Sequence, residues 1–141
     1  MLSWAEVRAR IDALGLPSER VVLMGSGPMV AHGLVESVGD VDLVASDEAW
    51  ERATRLAPPT EGLHGDLVVR LGDVEVFSGW HGTPAAALLE TATLIDGILV
   101  GTLADVLEFK LALKRPKDAT HIALLRAALG APGAADESPG T

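Results

Sequence analysis

The chain has 141 residues, 48% hydrophobic and 22% charged, enough for one real core and too few for two domains of ordinary size. It has no cysteine, which excludes disulfides, thiolate metal sites and a cysteine nucleophile. Acids outnumber bases 20 to 11 for a formal net charge of −9, which disfavours a basic nucleic-acid groove, because phosphate binding draws on Lys and Arg.

The elements follow in chain order. Ser3 and Glu6 form a capping box, and Trp4, Val7, Ile11 and Leu14 recur at helical spacing until Gly15 and Pro17 stop the helix. The apolar run Val21–Met24 reads as a buried strand closed by Gly25. Pro28 at a first helical position starts a brief helix that Gly33 ends. Residues 40–44 alternate acid and apolar, the period of a strand, and Asp47–Leu56 is a helix ended by Pro58 and Pro59. Residues 66–77 divide at Gly72-Asp73, a hairpin signal, into two strands. Ile98–Val100 is a further short strand, Thr102 and Asp105 cap a helix over residues 103–114, Pro116 breaks it, and a last helix runs over 117–129. Residues 131–141, rich in Ala, Pro, Gly and acids, are expected to be disordered. This order predicts an α/β (α+β) domain over residues 1–130, a small mixed sheet flanked by helices with a helical C-terminal segment. The longest stretch without a formal charge, residues 21–35, is 15 residues broken by glycines and Pro28, too short to span a bilayer. With no signal-peptide pattern at the start, a cytoplasmic location is the expectation.

The chemistry concentrates in residues 25–44. Asp40 and Asp42 fall two apart on a strand and so project to one face, where two parallel carboxylates need a cation. Paired hard oxygens suit Mg²⁺, which binds one or two carboxylates with waters and substrate phosphates. Upstream, the Gly25-Ser26-Gly27 turn lies between a strand and a helix, where backbone N–H groups favour an anion. Glu75 interrupts the apolar strand Val74–Phe77 and is either a solvent-facing residue or the third carboxylate of the cluster. Asp73 precedes it on the same face but sits at the hairpin turn, where an Asp is expected anyway. Three carboxylates from two strands could hold two metals and activate a hydroxyl for in-line attack on phosphorus. Each residue also has a structural reading: Ser26 as a helix cap, the Asp pair as a solvated strand end, and the Lys110, Lys114, Arg115 and Lys117 cluster as a helix terminus. His32, His64, His81 and His121 share no metal-ligand spacing, and Trp80 either packs or borders a ligand.

The order Gly-Ser, spacer, Asp-Val-Asp-Leu, then Val-Glu-Val resembles the nucleotidyltransferase superfamily that includes polymerase beta and the minimal nucleotidyltransferases. Residues 105–125, DVLEFKLALKRPKDATHIALL, are similar to the K-x-x-x-R-x-K-D segment of the bacterial branch with the AbiEii-type toxins. The resemblance implies Mg²⁺-dependent transfer of a nucleoside monophosphate from an NTP to a hydroxyl of a protein, a tRNA end or a small molecule. It implies triphosphate contacts at Gly25 and Ser26, metal ligands at Asp40 and Asp42, Glu75 as ligand and base, and Lys110 on the phosphates. It also suggests a toxin–antitoxin or phage-defence setting with a cognate partner. The chain departs from the branch in its Gly-Ser-Gly-Pro turn and in His121, where members often have a second Asp. A catalytically idle module of this fold that binds nucleotide or a partner protein is the alternative.

Overall fold

Ser3 and Glu6 close a full capping box. Glu6 N–H donates to Ser3 Oγ at 3.2 Å and Ser3 N–H to Glu6 Oε1 at 2.9 Å, which starts helix α1 (Trp4–Ala13). The structure is a computed structural model and describes residues 1–130. The tail expected at 131–141 lies outside the described residues. The chain divides into two compact units, Met1–Gly101 and a second that begins at Thr102.

In the first unit β1 (Val21–Met24) leads through the short helix α2 (Gly27–Ala31) to β2 (Val41–Ala45), followed by α3 (Asp47–Leu56). Next come the two-residue strand β3 (Thr60–Glu61) and the hairpin of β4 (Leu67–Leu71) and β5 (Val74–Phe77). A small hairpin of β6 (Gly79–Trp80) and β7 (Thr83–Pro84), helix α4 (Ala85–Thr91) and strands β8 (Thr93–Ile95) and β9 (Ile98–Val100) complete it. Seven strands form one mixed sheet in the order β3-β4-β5-β2-β1-β9-β8. β1 runs antiparallel to β2 and parallel to β9, β2 runs parallel to β5, and β5 is antiparallel to β4.

The pleat decides what each side of the sheet carries. Val41, Leu43 and Ala45 of β2 enter a buried cluster with Leu23, Val69, Val74 and Val76 of the neighbouring strands. Val7 of α1 and Ala49 and Ala53 of α3 join that cluster, so both helices cover this side. Burying each large aliphatic side chain contributes about 1.5–3 kcal/mol.

The expected elements are present, with shifts at their ends. The strand read as starting at residue 40 starts at Val41, and Asp40 stands exposed just before it. Several pieces were not anticipated: a single turn of tighter helix at Ser18–Arg20, β3, the β6–β7 hairpin, α4 and β8. Helix α4 has no side-chain cap, so no start signal marks it; its Ala-Leu run supplies helix propensity, and only Ala85 and Leu88 are buried.

In the second unit, Thr102 Oγ1 accepts the Asp105 N–H at 3.1 Å and starts α5 (Leu103–Leu113). Lys114 leaves the helix in the left-handed region, φ 54°, and Pro116 opens a single turn of tighter helix, Pro116–Asp118. This turn moves the start of the last helix, α6 (Ala119–Gly130), two residues past the expected position; α6 packs on α5. Among the described residues no helix is long and apolar enough to cross a membrane.

Leu43 is fully buried at the centre of the sheet. Leu43→Ala is expected to lower unfolding stability by about 2–5 kcal/mol, measured by urea denaturation, with the far-UV circular dichroism of the folded state unchanged.

Candidate functional site

The other side of β2 carries Asp42. In the antiparallel pair with β1 it lies opposite Met24, and in the parallel pair with β5 it lies opposite Glu75. The hairpin then sets Glu75 opposite Arg70 on β4. Side chains at paired positions share a face of the sheet. One row therefore crosses four strands as Met24, Asp42, Glu75 and Arg70. Arg70 Nε donates to Glu75 Oε2 at 3.0 Å, and Arg70 Nη1 donates to Thr60 Oγ1 of the edge strand at 2.8 Å. Asp42 is half-buried and Met24 beside it is fully buried, so one end of the row is dry and the other wet.

The turn after β1 is built around this row. Gly25 adopts φ +65°, and a Cβ there would collide with Asp42 Oδ2. The backbone of the turn thus lies directly against the Asp42 carboxylate, a closeness that only glycine permits. Gly27 has a different reason: a Cβ would come within 2.5 Å of Leu23 Cδ1, because α2 packs tightly on β1. The Gly-Ser-Gly-Pro turn therefore combines two separate requirements. Ser26 stands at the N-cap position of α2, but its hydroxyl makes no cap hydrogen bond.

The acids behave differently from one another. Asp73 is drawn away from the row: Arg10 of α1 donates to it at 3.1 Å, and this hydrogen bond holds its carboxyl below the usual carboxylate range. Glu75 stays in the row but is engaged by Arg70. Among the described residues no three His, Cys, Asp or Glu side chains converge as a metal-holding group. The donor set still fits one hard cation, since Mg²⁺ needs only one or two carboxylates and takes its other ligands from water and phosphate. Asp42, with the Gly25 backbone close above it and Asp40 two residues earlier in the chain, is where such an ion would be held.

In the second unit Lys110 is 4% exposed and Asp118 3%. Lys110 Nζ donates to Asp118 Oδ1 at 3.2 Å and Arg115 Nε donates to Asp118 Oδ2 at 2.7 Å. Burial works to raise the Asp118 carboxyl, and the hydrogen bonds from Arg115 and Lys110 outweigh it, so the group stays ionised below the usual range. Lys110 and Arg115, separated here by four residues where the K-x-x-x-R-x-K-D pattern has three, thus converge on Asp118. Lys110, expected on a nucleotide, is here part of a buried ion pair, while Lys114 and Lys117 are exposed. His121 lies in the same surroundings: burial, then the nearby Lys110 charge, lower its pKa, with Asp118 acting in the opposite direction.

Sequence reasoning passed over Arg70 and Thr60, and took in Asp118 only as part of the K-x-x-x-R-x-K-D segment, without a role. Arg70 had a readable signal, because a two-residue turn at Gly72-Asp73 pairs Leu71 with Val74 and hence Arg70 with Glu75. No protein-family model matches the chain, and no curated protein matches it.

Two expectations follow. Gly25→Ala forces a Cβ onto Asp42 in a left-handed conformation and is expected to destabilise the fold by about 1–3 kcal/mol in thermal or urea melts. The lowered pKa of His121 means that the unfolded chain takes up its proton first as the pH falls. Stability is then fully present above the ordinary value of 6.5 and is lost as the pH drops towards the folded-state value. Melting temperatures recorded across that window are expected to fall less steeply for His121→Gln than for the wild type.

Proposed function

We propose that the chain is a Mg²⁺-dependent nucleotidyltransferase of the polymerase beta-like kind, transferring a nucleoside monophosphate from an NTP to an acceptor hydroxyl. The observation that carries this reading is the contact of the Gly25 backbone with the Asp42 carboxylate. An anion-favouring turn and a cation-requiring acid are adjacent, which suits a nucleotide bound as its metal complex. Mg²⁺ bound there would neutralise phosphate charge and make the acceptor hydroxyl more acidic.

Each residue of the first unit then has a defined task. The N–H groups of the Gly25-Ser26 turn orient the triphosphate. Asp42 and Asp40 supply the negative charge that retains the cation. Glu75, next along the row, accepts the proton of the attacking hydroxyl as its oxygen bonds to the α-phosphorus. The bond from that phosphorus to the bridging oxygen of the β-phosphate breaks, and pyrophosphate leaves. Lys110, committed to Asp118, is not required for this reading. A cytoplasmic location accords with the use of an NTP.

One observation favours a second reading, an idle module that binds nucleotide or a partner protein without turnover. Glu75, the residue assigned as base, already accepts a hydrogen bond from Arg70, which a base role would have to displace.

Calorimetric titration of ATP, GTP, CTP and UTP with Mg²⁺ separates the outcomes. The wild type is expected to bind at least one of them in a metal-dependent manner. Asp40→Ala/Asp42→Ala is expected to weaken that binding by at least the ~10–100-fold that loss of an outer-shell metal partner costs. Binding without label transfer from α-labelled NTP to any acceptor supports the idle module, and no binding by folded wild type overturns the transferase reading and leaves a module that binds a partner protein.

A further inference from the structure

Arg70 is a cation already seated on the acidic row. We propose that it is an exchangeable counter-ion of the site: its guanidinium holds Glu75 while no divalent ion is bound and releases the carboxylate when one binds beside Asp42. The inference rests on the reading of Asp42 as a metal ligand.

Three observations carry it. The register places Asp42, Glu75 and Arg70 in one row on adjacent strands, so the two carboxylates are neighbours and the guanidinium is the next group along. Neighbouring carboxylates repel, and a cation at the second one relieves that repulsion. The pair is also made to be broken. Arg70 reaches one Glu75 oxygen through Nε and spends Nη1 on Thr60, so it does not form the two-bond fork that makes such pairs strong. The side chains of Arg70 and Glu75 are 53% and 33% exposed, so water competes with the contact, unlike at the buried Lys110–Asp118 pair. A divalent ion carries twice the charge and binds carboxylate oxygen at a shorter distance than a guanidinium does. Once displaced, Arg70 has Thr60 Oγ1 to hold it at the edge of the sheet.

The test is Mn²⁺ binding by the full chain, read from the electron paramagnetic resonance signal of free Mn²⁺. The variants are Arg70→Gln, Glu75→Gln, the double variant and Asp42→Asn. If Arg70 competes for Glu75, Arg70→Gln binds Mn²⁺ about two- to fivefold more tightly than the wild type, the range an exposed ion pair supplies. In the Glu75→Gln background the same change then has little effect. An equal gain in both backgrounds overturns the proposal, because it reports only the loss of a nearby positive charge. No gain from Arg70→Gln, with binding weakened by Asp42→Asn, also overturns it while leaving the metal reading intact. Mn²⁺ binding that is absent, or untouched by Asp42→Asn, removes the metal reading and the proposal together. Should Arg70→Gln not melt cooperatively, Arg70→Met replaces it, with the same expected direction.

Discussion

The pleat of β2 is the constraint from which both the core and the candidate site derive. Side chains alternate across a strand, so the valine and leucine at 41 and 43 can enter the core only if residue 42 faces the other way. Pairing with β1 and β5 then leaves little freedom, because each fixes which neighbour residue 42 meets: a buried methionine on one side and a glutamate on the other. The acids are thus aligned by the same register that closes the apolar cluster. A one-residue slip would exchange the two faces and destroy both at once.

Neighbouring acids in a half-buried row need stabilisation, and the chain contains two contrasting ways of supplying it. Across the sheet, Arg70 neutralises Glu75 at the wet end, where both side chains are partly exposed and the contact is readily exchanged. In the helical unit, Asp118 receives the buried Lys110 in a place nearly closed to water and the part-exposed Arg115 from its rim. Such a buried group is held because separating it leaves an uncompensated charge, whatever the net worth of the assembled pair. The first arrangement suits a site that trades one cation for another, and the second suits a fixed link between a helix and the turn that follows it.

Much of this was legible in the sequence, and the gaps have physical reasons. The strand Val21–Met24, the helix Asp47–Leu56 and the Gly72-Asp73 turn carried strong local signals: an uninterrupted apolar run, two prolines after the helix, and a two-residue hairpin. Helix α4 and the two-residue strands did not, since elements so short are formed by what packs on them and not by their own pattern. At the candidate site, the parity of residues 40 and 42 was readable, but the neighbour of residue 42 on β5 was not, because parallel pairing across an intervening helix and hairpin leaves no local trace. The collision that makes Gly25 necessary was equally hidden, as it involves a side chain 17 positions further along the chain.

The hairpin between β4 and β5 also limits how this protein can evolve. Its turn contains only Gly72 and Asp73, and every side-chain pairing on the two strands is counted outward from it. Residues added to the turn itself leave that count intact, although they shift Asp73, whose carbonyl accepts the Val41 N–H and whose carboxylate accepts from Arg10. A residue gained or lost inside β5 before position 75 instead reverses the facing of everything after it, sending the glutamate toward the apolar side and a valine toward the row of acids. Substitutions can therefore change the chemistry of the hairpin one residue at a time, whereas a change in the length of its strands exchanges its two faces.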